Sequence, residues 1–361
     1  MKPFAMARFG GDTLMIRGSR FRSKPSTSRR SSLSLLFALV LPILLSACTW
    51  GGNHSPLNPA SGPTETVNRL WWIMFWMSIV IEALVAGLVV ISLIRFRRKA
   101  GDPDPVQISG NTRIEIAWTI APAMILVVLL VLTLTTMVNI SEPKGTTMRV
   151  TVTGHQWWWE FDYQGMNIVT GNEMHIPLDE PVHIDLRSTD VIHSFWVPSL
   201  AGKRDAIPGH DNTLWISANK PGTYRGECTE FCGPEHANMN FIVVAQPRAE
   251  FDAWVRGQQQ PAATGQTGLA AEGAQTILTQ ACAGCHMING VKGYNIGKIG
   301  PNLTHVGSRQ NIAAGTLENT PENLARWIRN PQEVKPENKM PNLGLDEATI
   351  AKLVAYLESL K

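Results

Sequence analysis

The sequence has few cysteines and little excess charge of either sign. Five cysteines occur among 361 residues: one stands alone after an apolar run, and the other four form two pairs, spaced four and three residues apart. No long-range pairing indicates a disulfide framework, whereas close pairs followed by histidine indicate metal or heme sites. Residues 1–30 hold eight of the 32 lysines and arginines but one of the 29 acids, so the rest carries 24 bases and 28 acids. This mildly acidic remainder gives no reason to expect nucleic acid as a partner.

The N-terminal 47 residues are typical of a lipoprotein-type signal peptide. Arg29 and Arg30 precede an uncharged stretch whose apolar core, Leu33–Leu45, is too short to span a bilayer. The sequence Leu-Ser-Ala-Cys at residues 45–48 resembles a bacterial lipobox, which predicts lipidation of Cys48 and an exported segment over residues 48–69. An uncleaved signal anchor with an incidental cysteine is the alternative.

Two later segments, residues 70–94 and 116–138, are long and apolar enough to cross a membrane. A cluster of tryptophan and phenylalanine opens the first one, as suits a headgroup interface. Four positive charges within residues 95–99 place the 95–115 loop in the cytoplasm, because short basic loops stay inside. The sequence therefore predicts a two-helix transmembrane hairpin in a multi-pass protein of the bacterial inner membrane, with everything after residue 138 on the periplasmic side.

Two carboxylates of the membrane region have more than one interpretation. Glu82 falls near the middle of the first span, where a charge is costly, so it is either protonated and bonded to a neighbouring helix or in contact with a partner subunit. Thr112 and Glu115 have the spacing of a capping box, in which Thr112 caps the second helix and Glu115 reaches back to its amide.

From residue 145 to residue 250 the pattern changes to short, alternating runs separated by prolines and glycines, which predicts a β-sandwich or Greek-key barrel. A set of soft ligands falls within this region: Cys228, Cys232, His236, Met239 and, 35 residues before the first cysteine, His193. Such ligands select copper or zinc. A closed zinc site is one alternative, although zinc seldom recruits a thioether. A mononuclear blue-copper site needs a single cysteine, whereas two cysteines suit two coppers that share both thiolates.

The segment Cys228–Met239 resembles the dinuclear copper loop of cytochrome c oxidase subunit II, and the likeness extends over residues 64–250. The resemblance implies a cupredoxin-like β-sandwich over residues 145–250. It implies copper ligation by the side chains of that soft-ligand set and by the backbone carbonyl of Glu230. It further implies that the Glu230 carboxylate faces subunit I and helps to hold a magnesium ion.

Three more matches to this family carry implied roles. Residues 154–159 (Gly-His-Gln-Trp-Trp-Trp) resemble the aromatic loop beside the copper centre, where Trp157 would be the residue through which electrons enter. Trp158 stands where the family usually has tyrosine. Residues 203–209 match a loop that faces subunit I. Residues 114–119 resemble the segment whose glutamate marks the cytoplasmic entrance of a proton path into subunit I, which gives Glu115 a second interpretation.

Residues 251–268, rich in glutamine, alanine and glycine, predict a flexible linker, and residues 269–361 are largely helical in pattern. Cys282, Cys285 and His286 form the Cys-x-x-Cys-His attachment signature of a c-type heme. The sixth iron ligand is expected to be methionine, and Met340, in Lys-Met-Pro-Asn-Leu, resembles the family's axial-methionine loop. His305 is a weaker rival. The region is thus expected to be an all-α cytochrome c domain with one covalently attached heme.

Together these features predict subunit II of a bacterial heme–copper oxidase. Electrons would arrive through the fused cytochrome and leave for subunit I, where oxygen is reduced and protons are translocated, so the present chain holds no catalytic residue. The expected partners are subunit I, subunit III, the membrane and an upstream donor, either a bc-type complex or a soluble cytochrome. A quinol-oxidising subunit would lack the copper ligands, and a nitrous oxide reductase would need a large additional domain. A nitric oxide reductase partner stays open.

Overall fold

The computed structural model describes residues 52, 54–141, 145, 148–293 and 299–361. The signal peptide expected over residues 1–47 and the lipidation site expected at Cys48 lie outside the described residues.

Two helices, α1 (Gly62–Arg95) and α2 (Thr112–Ser141), are long and apolar enough to cross a membrane. Each is longer than its predicted span, because a hydropathy pattern locates the apolar part of a helix and not its polar ends. The added first turn of α1 lies against the β domain: Ser61 caps the helix and donates to the Leu200 carbonyl at 2.6 Å, and Thr64 donates to the Ser199 carbonyl at 2.9 Å.

The start of α2 corrects one prediction. Asn111, not Thr112, is the capping residue, since its side-chain oxygen accepts from the backbone amides of Arg113 and Ile114 at 3.2 and 3.3 Å. Asparagine is a stronger capping residue than threonine. Glu115 does reach back, and its Oε1 accepts from the Asn111 amide at 3.1 Å.

Ten strands follow and form the predicted β-sandwich. The strands are β1 (Met148–His155), β2 (Trp158–Tyr163), β3 (Ile168–Gly171), β4 (Glu173–Pro177), β5 (Val182–Ser188), β6 (His193–Trp196), β7 (Arg204–Ala206), β8 (Asn212–Ile216), β9 (Gly222–Cys228) and β10 (Asn240–Gln246). One sheet has the order β3-β2-β1-β5-β8 and the other β4-β10-β9-β6-β7. The β1–β5 and β4–β10 pairs are parallel, and the remaining pairs are antiparallel.

Fully buried aromatic rings fill the sandwich core. Phe195 stacks on Phe241 with ring centroids 4.6 Å apart, and the edge of Trp159 meets both rings. Gly226 belongs to this arrangement, because a Cβ there would lie 2.1 Å from the Phe241 ring. This packing brings the ends of β6 and β9 together at one end of the sandwich.

The prediction of a flexible linker over residues 251–268 is wrong for the first part of that range. Helix α3 (Arg248–Gln258) follows β10, and its Phe251 is buried, with Trp254 packed on the sandwich core. Ala262, further along, is also buried and donates its amide to the Asn289 carbonyl at 2.9 Å. The segment is rich in glutamine and alanine, so its composition does not indicate that Phe251 and Trp254 pack on the sandwich and fix this helix.

The C-terminal region contains α4 (Gly268–Thr279), α5 (Pro321–Arg329), α6 (Pro331–Val334) and α7 (Glu347–Ser359), with a two-residue strand pair, β11 (Asn311–Ile312) and β12 (Leu317–Glu318). α7 buries Ile350, Leu353, Val354 and Leu357, as its apolar periodicity predicts. α4 crosses α7 closely at Gly273, where a Cβ would lie 2.0 Å from the Lys352 carbonyl oxygen.

Candidate copper and heme sites

The predicted copper ligands meet at the end of the sandwich where β6 begins and β9 ends. Cys228 Sγ and Cys232 Sγ lie 3.8 Å apart. His193 Nδ1 lies 3.9 Å from Cys228 Sγ, and His236 Nδ1 lies 3.6 Å from Cys232 Sγ. Each sulfur thus has its own histidine within 4 Å, an arrangement that would suit two metal ions bridged by two thiolates.

The two weaker predicted ligands complete the site. Met239 is fully buried, and its Sδ lies 3.8 Å from Cys232 Sγ. The carbonyl oxygen of Glu230 lies 3.3 Å from Cys228 Sγ. Each cysteine therefore has one weak donor beside it. The Met239 thioether lies beside Cys232, and the Glu230 backbone carbonyl lies beside Cys228.

The charge state of the thiols fits a metal centre. All four described cysteines are free thiols. The hydrogen bond between the paired sulfurs lowers the pKa of Cys228 to about 3 and raises the pKa of Cys232, because two negative charges this close are unfavourable. Copper ions would hold both as thiolates and displace the remaining proton.

His193 is fixed from behind by Asp190, a residue that the sequence did not single out. His193 Nε2 donates to Asp190 Oδ1 at 2.8 Å, which leaves Nδ1 toward the sulfurs. Burial by itself would raise the pKa of the Asp190 carboxyl, but hydrogen bonds from His193 and from the Gln156 and Val191 amides lower it. A carboxylate behind a metal-binding histidine sets the orientation of the ring.

Trp157 lies between the predicted copper site and a cavity. Its indole Nε1 donates to the Cys232 carbonyl at 3.0 Å, and Gln156 Nε2 donates to the same oxygen at 2.8 Å. Both side chains also line a cavity whose opposite wall belongs to the C-terminal domain. Trp157 is 9% exposed and belongs to the buried core cluster of the sandwich.

The predicted heme ligands line that cavity, which we call the heme pocket: Cys282, Cys285, His286 and Met340. His286 Nδ1 donates to the Pro301 carbonyl at 2.8 Å, so Nε2 is the nitrogen available to iron. Burial lowers the pKa of His286 and keeps it neutral, as a ligand must be. A Cβ at Gly300 would lie 2.5 Å from the His286 ring, so only glycine fits beside it.

The structure separates Met340 from its rival. Both ring nitrogens of His305 are engaged, Nδ1 with the Lys361 carbonyl and Nε2 with the Gln260 carbonyl, each at 3.1 Å. His305 is buried among these contacts and does not line the heme pocket. Met340, by contrast, lines the pocket, and its loop is fixed by the Asn338 side chain, which accepts from the Met340 amide at 2.8 Å.

Lys335 is a second residue that no sequence motif singles out. It is a buried lysine on the pocket wall, and burial lowers its pKa to about 8, although Glu235 and Cys232 oppose the change. Its surroundings in the sequence are a polar, proline-containing loop, which gives no signal of burial.

The exposed surface beside the copper site includes the Glu230 side chain and Phe231, which is 76% exposed. Lys203 and Arg204 of the 203–209 loop are exposed as well.

Residues 166–246 match the family described as "Cytochrome C oxidase subunit II, periplasmic domain", residues 49–136 match its "transmembrane domain", and residues 270–361 match "Cytochrome c". The chain is 40% identical to cytochrome c oxidase subunit 2 of Alkalihalophilus pseudofirmus over 335 residues, which cover 89% of this chain and 95% of that protein. It is 36% identical to cytochrome c oxidase subunit 2 of Bacillus sp. (strain PS3), over 74% of this chain and 80% of that protein. Among solved structures, the periplasmic domain of subunit II of cytochrome oxidase from Bradyrhizobium japonicum is 30% identical, with a TM-score of 0.31, and the match covers 32% of this chain and 96% of that one.

Proposed function

The chain belongs to the cytochrome c oxidase subunit II family, and from that premise we propose how its residues carry electrons. It is the electron-delivering subunit of a heme–copper oxidase, and it works with subunit I, where oxygen is reduced. Electrons enter at the cytochrome c domain and leave through the β-sandwich. When bound, one heme c and a dinuclear copper centre supply the one-electron redox chemistry.

The position of Trp157 carries this proposal. The residue lines the heme pocket, and its indole nitrogen donates to the carbonyl of Cys232, a proposed copper ligand. A single aromatic side chain therefore joins the two metal-binding sites. We assign to Trp157 the role of the residue through which electrons enter the copper domain.

The remaining residues divide between holding the metals and meeting partners. Cys282, Cys285, His286 and Met340 would hold the heme, and His193, Cys228, Glu230, Cys232, His236 and Met239 would hold the copper pair. The exposed Glu230 carboxylate would help to hold magnesium against subunit I, beside the exposed Phe231. We place both soluble domains on the periplasmic side of the inner membrane, with subunit III and an upstream donor as further partners.

The metal content of the full chain tests the proposal. Expressed without other subunits and purified in detergent, the chain is expected to contain two coppers and one covalent heme. In the half-reduced copper pair, the electron should be shared by both ions in electron paramagnetic resonance. A single copper, or stable zinc with no copper uptake, would contradict the dinuclear assignment.

Glu115→Gln tests the proposed proton-path entrance. Glutamine keeps an oxygen that can accept from the Asn111 amide, as Glu115 does at 3.1 Å, but it cannot exchange protons. We expect oxygen turnover in the assembled oxidase to fall several-fold, with unchanged heme and copper spectra. Wild-type turnover would show that Glu115 serves only the helix cap. Asn111→Ala is the matched control, because it removes the capping side chain and leaves the carboxylate.

A further inference from the structure

Lys335 places a positive charge of the cytochrome c domain against the β-sandwich. The residue directly follows α6, and it is 2% exposed. Its Nζ donates to the Trp157 carbonyl at 3.1 Å and to the Asn238 carbonyl at 2.9 Å. Both acceptors belong to the β-sandwich, so both hydrogen bonds of the Lys335 side chain join the cytochrome c domain to the copper domain.

The two acceptors are not ordinary surface positions. Trp157 joins the heme pocket to the copper site, and Asn238 lies between the proposed ligands His236 and Met239. A lysine is rarely buried unless its charge is compensated. Burial disfavours the charge of Lys335, and the acidic side chain of Glu235, itself 4% exposed, offsets part of that effect.

On the cytochrome side, Lys335 is tied to the heme loop. The Asn338 side chain donates to the Lys335 carbonyl and accepts from the Met340 amide. Gln332 adds a bond to the Met340 carbonyl at 2.8 Å. Through these contacts, Lys335 is held at a fixed position relative to the proposed axial ligand.

Further contacts cross the same boundary, and one of them involves a second buried charged residue, Glu173, which is 7% exposed. The Asn240 amide donates to the Ala314 carbonyl at 3.1 Å, and the Gln310 amide donates to the Glu173 carboxylate at 2.9 Å. The Trp158 indole donates to the Ile299 carbonyl at 3.1 Å. The two domains are therefore docked, and these amides report on the docking.

We propose that Lys335 is a positioning residue that holds the cytochrome c domain on the copper domain, with Trp157 fixed between the heme pocket and the copper site. The inference rests on the proposed function, since the docking matters only if both sites carry metals. The donor is then a docked module and not a domain that searches on a tether.

Lys335→Met in the full chain removes the charge and the donors while keeping a long apolar side chain. Losing a hydrogen bond from a charged group is expected to weaken docking by about tenfold or more. Hydrogen exchange at the Asn240 and Gln310 amides should accelerate by a similar factor. Electron transfer from the cytochrome domain to the copper domain, followed after rapid mixing with a reductant, should slow, with both absorption spectra unchanged. Lys335→Arg should bring both the exchange rate and the electron-transfer rate most of the way back to wild type. Lys292→Met, at an exposed lysine of the same domain, should change neither rate.

Unchanged exchange in Lys335→Met would overturn the inference. Faster exchange with a wild-type transfer rate would also overturn it, because Lys335 would then stabilise docking without positioning the route. Copper and heme content, measured on the same samples, keeps the two claims apart. Chains that lack either metal in the wild type would refute the proposed function itself.

Discussion

Cys228→Ser is expected to abolish the copper centre and, with it, oxygen turnover supported by the cytochrome domain. Cys228 Sγ lies within 4 Å of Cys232 Sγ and His193 Nδ1, and 3.3 Å from the Glu230 carbonyl, so it is shared by most of the site. A serine hydroxyl is a harder and far less acidic donor than a thiol, and copper prefers soft ligands. Since loss of groups behind a metal ligand already costs about 10–100-fold in affinity, loss of a bridging ligand should cost more.

The measurements for this variant are copper content, the electron paramagnetic resonance signal of the copper pair and oxygen turnover in the assembled oxidase. The covalent heme should be retained, because its attachment residues lie in another domain. Met239→Leu is the matched control at the same site: the thioether is a weak ligand, so two coppers should remain and the reduction potential should shift. A Cys228→Ser protein that kept both coppers and their shared-electron signal would remove this cysteine from the ligand set.

The sequence was informative wherever chemistry restricts the residue type. Thiols, imidazoles and thioethers at short spacing indicate both predicted metal-binding segments, and the structure brings the predicted copper ligands from β6, β9 and the following loop together. The β-sandwich was predictable because strand alternation and turn residues repeat along the chain. In each case the signal was local in the sequence.

The parts that escaped prediction depend on contacts between distant residues. Asp190 behind His193 and Lys335 against Trp157 are ordinary charged residues in polar loops, and only the folded chain makes them partners. The same holds for α3, whose Phe251 and Trp254 meet a surface built from strands far earlier in the sequence. The prediction of the α2 cap was wrong for a more local reason. Asparagine and threonine are adjacent in the sequence and both suit a capping position, so the residue types alone did not decide between them.

Met340→Ala is expected to open the sixth position of the heme iron while the heme stays covalently attached through Cys282 and Cys285. Met340 lines the heme pocket, whereas both ring nitrogens of the rival His305 lie 3.1 Å from backbone oxygens outside that pocket. A thioether opposite histidine raises the heme potential. Its loss should therefore lower the potential on the order of tenths of a volt.

The variant is checked by the reduced absorption spectrum, a redox titration and binding of carbon monoxide, which should become possible at the open position. Transfer of electrons to the copper domain should fall because the driving force falls, although copper content stays normal. Met287→Ala is the control, since it removes a thioether next to His286, too close in sequence to reach the opposite face of the heme. His305→Ala tests the rival ligand. If Met340→Ala kept the low-spin spectrum and His305→Ala lost it, His305 and not Met340 would be the axial ligand. We expect the reverse, because freeing His305 would require breaking its bonds to Lys361 and Gln260, which hold the C-terminus and the segment after α3.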